Sequence, residues 1–247
     1  MDNLKTSFGK IKVDEKRKTS LVQDIFTEVS NNYDLMNDLM SFGAHRLWKK
    51  SLVDVMNIQS GDKIIDVGSG TGDIFKIILL HNKKINGYAI DLNSSMIEKG
   101  KKNFIKLNKK NIKFIKANAE NLPFKDNFFD KYVISFCLRN ITYIEKALCE
   151  ALRVLKPGGS FYCLEFSTPQ SILINKIYSG YKNKIIPLIG KKIAKNKRAY
   201  EYLGQSIDTF PDQEILTNIL EKNGFQNCCY NNLFDGIVSI HKGYKIL

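Results

Sequence analysis

The chain has 247 residues, enough for one large domain with a substantial buried core. It carries 38 basic against 25 acidic residues, a formal net charge of +13, which draws such a surface toward nucleic acid or an anionic membrane; a compositional bias toward Lys is the competing explanation. No apolar stretch approaches the roughly 20 residues of a membrane span, no secretory h-region opens the chain, and the three scattered histidines give no metal-ligand spacing, so no metal is expected.

Residues 1–18 are polar and charged and read as an extended arm. From Thr19 to about Asn57 the apolar residues recur at helical spacing, interrupted near Asn31–Asp34 and Ser41–Gly43, which predicts two or three short helices. These helices would close over a ligand, pack on a sheet, or do both. Residues 1–57 are taken as this arm and helical lid, and 58–247 as the main domain.

Ile64, Ile65 and Val67 form an apolar run that ends in glycines at 68, 70 and 72, the pattern of a buried strand turning into a helix. Such a turn lets a ligand lie against bare backbone and the first amides of the helix. The spacing Asp66-x-Gly68-x-Gly70-x-Gly72 differs from the G-x-G-x-x-G of a dinucleotide site. It resembles motif I of the class I S-adenosylmethionine-dependent methyltransferases, in which an acidic residue near the strand end faces the cationic methionine part. A second strand, Tyr88-Ala89-Ile90, ends in Asp91, placed to accept both ribose hydroxyls.

Asn93 or Ser94 caps the next helix, to about Leu107. The eight lysines of residues 99–116 read as a solvated helix face ahead of a nucleic-acid patch, because no aromatics interleave with them to stack bases. Strands follow at Ile112–Ile115 and Tyr132–Phe136, and a helix over Thr142–Leu155 stops at Lys156-Pro157-Gly158-Gly159 before a strand at Ser160–Phe166. Residues 167–205 interrupt the alternation as a helical insertion, Pro211-Asp212-Gln213 opens the last helix, and strands near 225–231 and 236–244 finish the pattern. The fold class is α/β, a doubly wound, mostly parallel seven-stranded sheet with N-terminal helices and a helical insertion. Ligands on such sheets sit at the carboxyl strand ends, where Asp66, Asp91, Asn118 and Ser135 all fall.

Longer segments narrow this further: Tyr33–Ser41, His45-Arg46-Leu47-Trp48-Lys49, Leu138-Arg139-Asn140, Leu164-Glu165-Phe166-Ser167 and Pro211-Asp212-Gln213. Through them nearly the whole chain resembles the ubiquinone/menaquinone biosynthesis C-methyltransferase family. The resemblance implies S-adenosylmethionine as cofactor, a ring carbon of a polyprenylated quinol as acceptor, and cofactor contacts at Thr71, Asp91, Asn118 with Ala119, and Ser135. With the acidic strand end and the glycine turn, the cofactor set becomes Asp66, Gly68, Gly70, Thr71, Asp91, Asn118, Ala119 and Ser135. Arg139, with Asn140 beside it, is expected to hold a ring oxyanion, and Tyr33 to complete the catalytic set; arginine stays protonated, so it is not read as a direct base. His45 is read as ordering the N-terminal helices. The chain departs from the family pattern at Gly68-Ser69-Gly70-Thr71-Gly72, usually Ala-Gly-Gly-Thr-Gly, at Phe210 in place of a common histidine, and at Asn196 and Arg198 in place of an acidic pair.

Two other classes stand beside quinol methylation: an RNA methyltransferase, for which no N-P-P-Y-type motif or RNA-binding module is present, and a non-catalytic subunit of a quinone-synthesis complex. Between Ser171 and Tyr200 eight lysines and arginines, including Lys182, Lys191 and Lys192, lie among isoleucines, leucines and tyrosines with no acid. That pattern suits an interfacial segment on an anionic membrane. The expected setting is therefore cytoplasmic and peripheral on the inner membrane face, or the mitochondrial matrix in a eukaryote. The expected assembly is a homodimer or a quinone-synthesis complex, without nucleic acid. Five cysteines without paired spacing agree with a reducing compartment.

Overall fold

A computed structural model describes residues 5–9, 11–29, 37–38, 41–81, 84–108, 111–185, 188 and 197–246. Tyr33 lies outside these residues.

Seven strands make one sheet: β3 (Lys63–Val67), β4 (Asn86–Asp91), β5 (Ile112–Lys116), β6 (Phe129–Ser135), β7 (Leu155–Phe166), β8 (Gln226–Leu233) and β9 (Val238–Tyr244). Their order is β5-β4-β3-β6-β7-β9-β8, with only β9 running against its neighbours. The expected mostly parallel, doubly wound sheet is therefore the observed one. Successive residues face opposite layers: Ile64 and Val133 join one core, Ile65 and Ile134 the other. Both faces are covered, which is why central strands such as β3 and the Ser160–Phe166 part of β7 are apolar on both sides. On the first face lie α2 (Ala44–Val55), α3 (Asp73–Leu80) and α4 (Ser94–Lys106); on the second, α5 (Ile144–Val154) and α8 (Gln213–Lys222).

The local signals act where they were expected. Asn93 caps α4, its side chain accepting from the amides of Ser95 and Met96, and Asp212 caps α8 through the Ile215 amide. The chain runs outward from β3 to β5 on one side and resumes at β6 on the other, so the switch point lies between β3 and β6.

The described residues of this stretch, 5–9 and 11–18, are more than an extended arm. Lys5–Phe8 and Ile11–Asp14 form an antiparallel hairpin, β1 and β2, and α1 (Glu15–Val29) begins directly after it. The hairpin is held from far away: Phe8 stacks on Tyr202 of α7 (Lys197–Asp208), ring centroids 4.3 Å apart, in a separate core with Val22, Ile25 and Tyr200. A short polar segment whose apolar partner lies in the insertion carries no local pattern to betray it. Among the described residues of the insertion, α6 (Ile172–Gly180) is followed by a π-turn at Tyr181–Ile185 and then by α7.

Candidate active site

The glycine turn leaves β3 at the switch point. Gly68 has φ 70° and a Cβ there would meet Cys137 Sγ at 2.2 Å, so β3 and the β6 end could not approach as they do with any other residue. Gly70 has φ 56° and nothing within 4 Å of an added Cβ; the open space there belongs to a cavity of about 110 Å³. Asp91 ties this turn down, its Oδ2 accepting from the Gly70 amide at 2.9 Å and its Oδ1 from the Asn93 amide at 2.8 Å.

The smaller cavity brings together Gly68, Gly70, Asp91, Asn118, Ala119 and Ser135, six of the eight expected cofactor positions. α1 covers it with Val22 and Phe26, and is pinned by Thr27 to Asn93 (2.8 Å) and by Lys18 to the Ile141 carbonyl (2.9 Å). Of the N-terminal helices, α1 is the one whose side chains line this cavity, with the hairpin packed against it.

The other two positions, Asp66 and Thr71, border a larger cavity of about 660 Å³. The two cavities share Phe26, Gly68, Ser135, Phe136 and Asn140 in their walls. Asp66 is 1% exposed, and neither of its carboxylate oxygens has a hydrogen-bond partner. Burial pushes its carboxyl up to about 8, against the pull of Lys49. The Ser69 and Ser135 hydroxyls are also buried and unpartnered. Orphaned oxygens are costly unless a ligand completes them. A long ligand with a nucleoside at one end and a cationic amino acid at the other would do so, with its ribose at Asp91. The residues therefore fit S-adenosylmethionine.

Arg139 and Asn140 lie in a short turn after β6, on the larger cavity. Phe136, at φ 53°, occupies the left-handed region, uncommon for a bulky residue. Its carbonyl accepts from Arg139 Nη1 at 2.7 Å. The same nitrogen donates to Glu165 Oε1 at 2.7 Å, and Glu165 is fully buried. Burial lifts the Glu165 carboxyl above its ordinary range, with Arg139 pulling the other way. Asn140 accepts at Oδ1 from the Tyr202 hydroxyl at 2.9 Å, and burial pushes that phenol up to about 12. Arg139, its side chain 6% exposed, thus belongs to a buried network that borders a cavity.

Sequence reasoning passed over Glu165, Tyr202, Lys49 and Asp73. Glu165 had a signal, a charge inside an otherwise apolar strand. His45 does have an ordering contact, its Nδ1 2.9 Å from Ser41 Oγ. Lys182 departs from the expected basic face: it is buried and paired with Asp208. Lys191 and Lys192 lie outside the described residues. Among the described residues, no cluster of His, Cys, Asp or Glu could hold a metal ion.

The profile of the ubiE/COQ5 methyltransferase family matches residues 10–245. The chain belongs to the ubiE/COQ5 methyltransferase family. Its similar relatives include the "Ubiquinone/menaquinone biosynthesis C-methyltransferase UbiE" of Rickettsia typhi, 49% identical over 98% of this chain and 99% of that one. The Francisella tularensis subsp. novicida protein of the same name is 44% identical over 99% and 98%. Solved structures share the fold at lower identity. An S-adenosylmethionine-dependent methyltransferase from Aquifex aeolicus aligns with a TM-score of 0.62 at 17% identity, covering 86% of this chain and 97% of that one. A Haemonchus contortus phosphoethanolamine N-methyltransferase bound to S-adenosylhomocysteine has a TM-score of 0.62 at 14% identity, covering 81% and 52%. As a member of the ubiE/COQ5 family the chain is a C-methyltransferase that uses S-adenosylmethionine.

Proposed function

We propose that the chain methylates a ring carbon of a polyprenylated quinol, 2-methoxy-6-polyprenyl-1,4-benzoquinol or demethylmenaquinol, in ubiquinone or menaquinone synthesis. The observation that carries this reading is the larger cavity. It is walled by Trp48, Phe136, Phe166, Ile177 and Phe234, it adjoins the nucleoside cavity at Gly68 and Ser135, and Arg139 and Asn140 border it. An apolar ring with one oxygen to be steadied and an isoprenoid tail suits such walls.

When bound, S-adenosylmethionine supplies an electrophilic methyl group on a sulfonium. With a nucleoside in the smaller cavity and a ring in the larger, the wall the cavities share would let donor and ring carbon meet, and proximity of this kind is worth several kcal/mol of barrier, about 7–11 at best. The aromatic walls exclude water from the meeting point. Arg139, permanently protonated and oriented by Glu165, steadies negative charge on a ring oxygen, and Asn140, turned by Tyr202, offers a neighbouring hydrogen bond. The quinol's hydroxyl proton would pass to solvent to create that charge and make the ring carbon the nucleophile; the carbon would take the methyl as the sulfur keeps the bonding pair, and the proton on that carbon would then leave to restore the aromatic ring.

The tail would leave through a rim of exposed apolar side chains. Phe42, Leu47 and Phe234 are exposed side chains of the cavity wall, Phe42 at 81%, and α6, which lines the same cavity with Ile174 and Ile177, exposes Ile172 and Leu173. Among the described residues, no helix is long and apolar enough to cross a membrane. Exposed apolar side chains of this type suit shallow docking on an anionic bilayer, the source of the substrate, and support a peripheral setting on the inner membrane face. RNA is the competing acceptor on the strength of the net charge alone.

The test is methyl transfer by the purified chain to each quinol in detergent, held reduced or oxidised. Transfer to the reduced form and none to the quinone is expected, because only the quinol can carry the oxyanion. Equal transfer to both forms, or to neither, refutes the reading.

A further inference from the structure

α6 stands between the larger cavity and the outside: it exposes Ile172 and Leu173 and brings Ile174 and Tyr178 to the cavity wall. Tyr178 is half-buried, and Lys182, one turn further on, lays its Nζ over the ring, 5.6 Å from the centroid. Lys182 is itself buried and paired with Asp208 of α7, which limits how far the ring can move. Among the described residues the Tyr178 hydroxyl has no hydrogen-bond partner. Burial pushes the phenol above its ordinary range against the pull of Arg139, so it keeps its proton and can donate at neutral pH.

Other hydroxyls of this cavity wall are already engaged. Tyr202 donates to Asn140, and Ser41 donates to the Asn37 carbonyl and meets the His45 ring. A quinol carries two oxygens on opposite sides of one ring. The first adjoins the acceptor carbon and is the one that Arg139 steadies. The second adjoins the carbon that bears the isoprenoid tail, in the benzoquinol and the naphthoquinol alike, so it points to the side by which the tail leaves. α6, with its exposed apolar residues, lies on that side. Arg139 and Asn140 share one short turn and serve one end of the ring. A second oxygen carried into apolar walls without a partner would weaken binding.

We propose that Tyr178 donates a hydrogen bond to the second ring oxygen and so fixes which way round the quinol lies, tail toward α6 and acceptor carbon toward the wall that the two cavities share. A few placed polar groups in an apolar cavity set orientation in this way. The proposal rests on the quinol reading of the larger cavity.

Steady-state kinetics with two acceptors in detergent tests it: a short-chain demethylmenaquinol, and the 1-naphthol that bears the same chain at carbon 3. The naphthol keeps the hydroxyl beside the acceptor carbon and lacks the one across the ring. The two rings differ in intrinsic reactivity, and that difference is common to every variant, so the ratio of their kcat/KM values isolates the contact. Tyr178→Phe keeps the ring under Lys182 and removes only the hydroxyl. It should lower the quinol-to-naphthol ratio by about 3- to 10-fold, the range of one neutral hydrogen bond, with the loss appearing in KM for the quinol. A hydroxyl that only supports the fold would lower both acceptors alike. An unchanged ratio, or an equal loss on both acceptors, overturns the proposal. A wild-type chain that methylates neither acceptor, nor the benzoquinol, contradicts the quinol reading itself.

Discussion

Replacing Asp66 by Asn separates what the carboxylate costs the fold from what it does for the cofactor. Asp66 is buried with both oxygens unpartnered, and burial raises its carboxyl from an ordinary 3.8 to about 8. Between those values the folded chain holds a proton that the unfolded chain has released. The unfolded state binds fewer protons, so stability falls as pH rises from about 4 to about 8. At pH 7 the gap amounts to about three units, or on the order of 4 kcal/mol at 1.36 kcal/mol per unit. Asp66→Asn cannot ionise and removes that slope. A buried amide without partners keeps part of the cost, so a net gain of about 1–3 kcal/mol at neutral pH is expected. Binding runs the other way. A cationic methionine end requires the ionised carboxylate, so wild-type binding at pH 7 releases close to one proton and tightens toward pH 8. Calorimetry in two buffers of different ionisation enthalpy counts that proton, and denaturant melts at both ends of the pH window read the stability. A variant that binds S-adenosylmethionine as tightly as wild type, with no proton released by either chain, would refute the reasoning.

Asp91→Ala should weaken cofactor binding by about 1.5–3 kcal/mol and also cost about 1–3 kcal/mol of stability, since the Gly70 and Asn93 amides lose their acceptor; unchanged affinity in calorimetry contradicts the ribose assignment. Arg139→Ala should keep the cofactor dissociation constant while turnover falls by about two to three powers of ten, checked by steady-state kinetics beside calorimetry. Glu165→Gln leaves the Arg139 guanidinium buried without its carboxylate and should destabilise the fold by about 3–5 kcal/mol, read from chemical denaturation. Ile172→Asp with Leu173→Asp should abolish flotation with anionic vesicles and leave turnover on a short-chain quinol in detergent intact; unaltered flotation would remove α6 from the docking face.

What the sequence makes legible here is what neighbouring residues decide. The glycine turn, the Asn93 and Asp212 caps and the strand-end positions Asp66, Asp91, Asn118 and Ser135 follow from period and local turn chemistry, and they lie where expected. Contacts made across the fold leave little trace. Phe8 finds Tyr202, Lys182 finds Asp208 and Lys49 finds Asp73 only once the chain has closed, and each looks like ordinary surface composition until then. Arg139 could be singled out by its place after β6. Its character depends on Glu165 and on the left-handed backbone at Phe136, and tertiary packing alone fixes those.

The measurement that bears most directly on the central claim is the fate of a labelled methyl group. The purified chain is incubated with methyl-labelled S-adenosylmethionine and a reduced membrane-lipid extract, and in parallel with total RNA. The account predicts label in a polyprenylated quinol, at a ring carbon, and none in RNA. Label in RNA with none in the quinol fraction would contradict it.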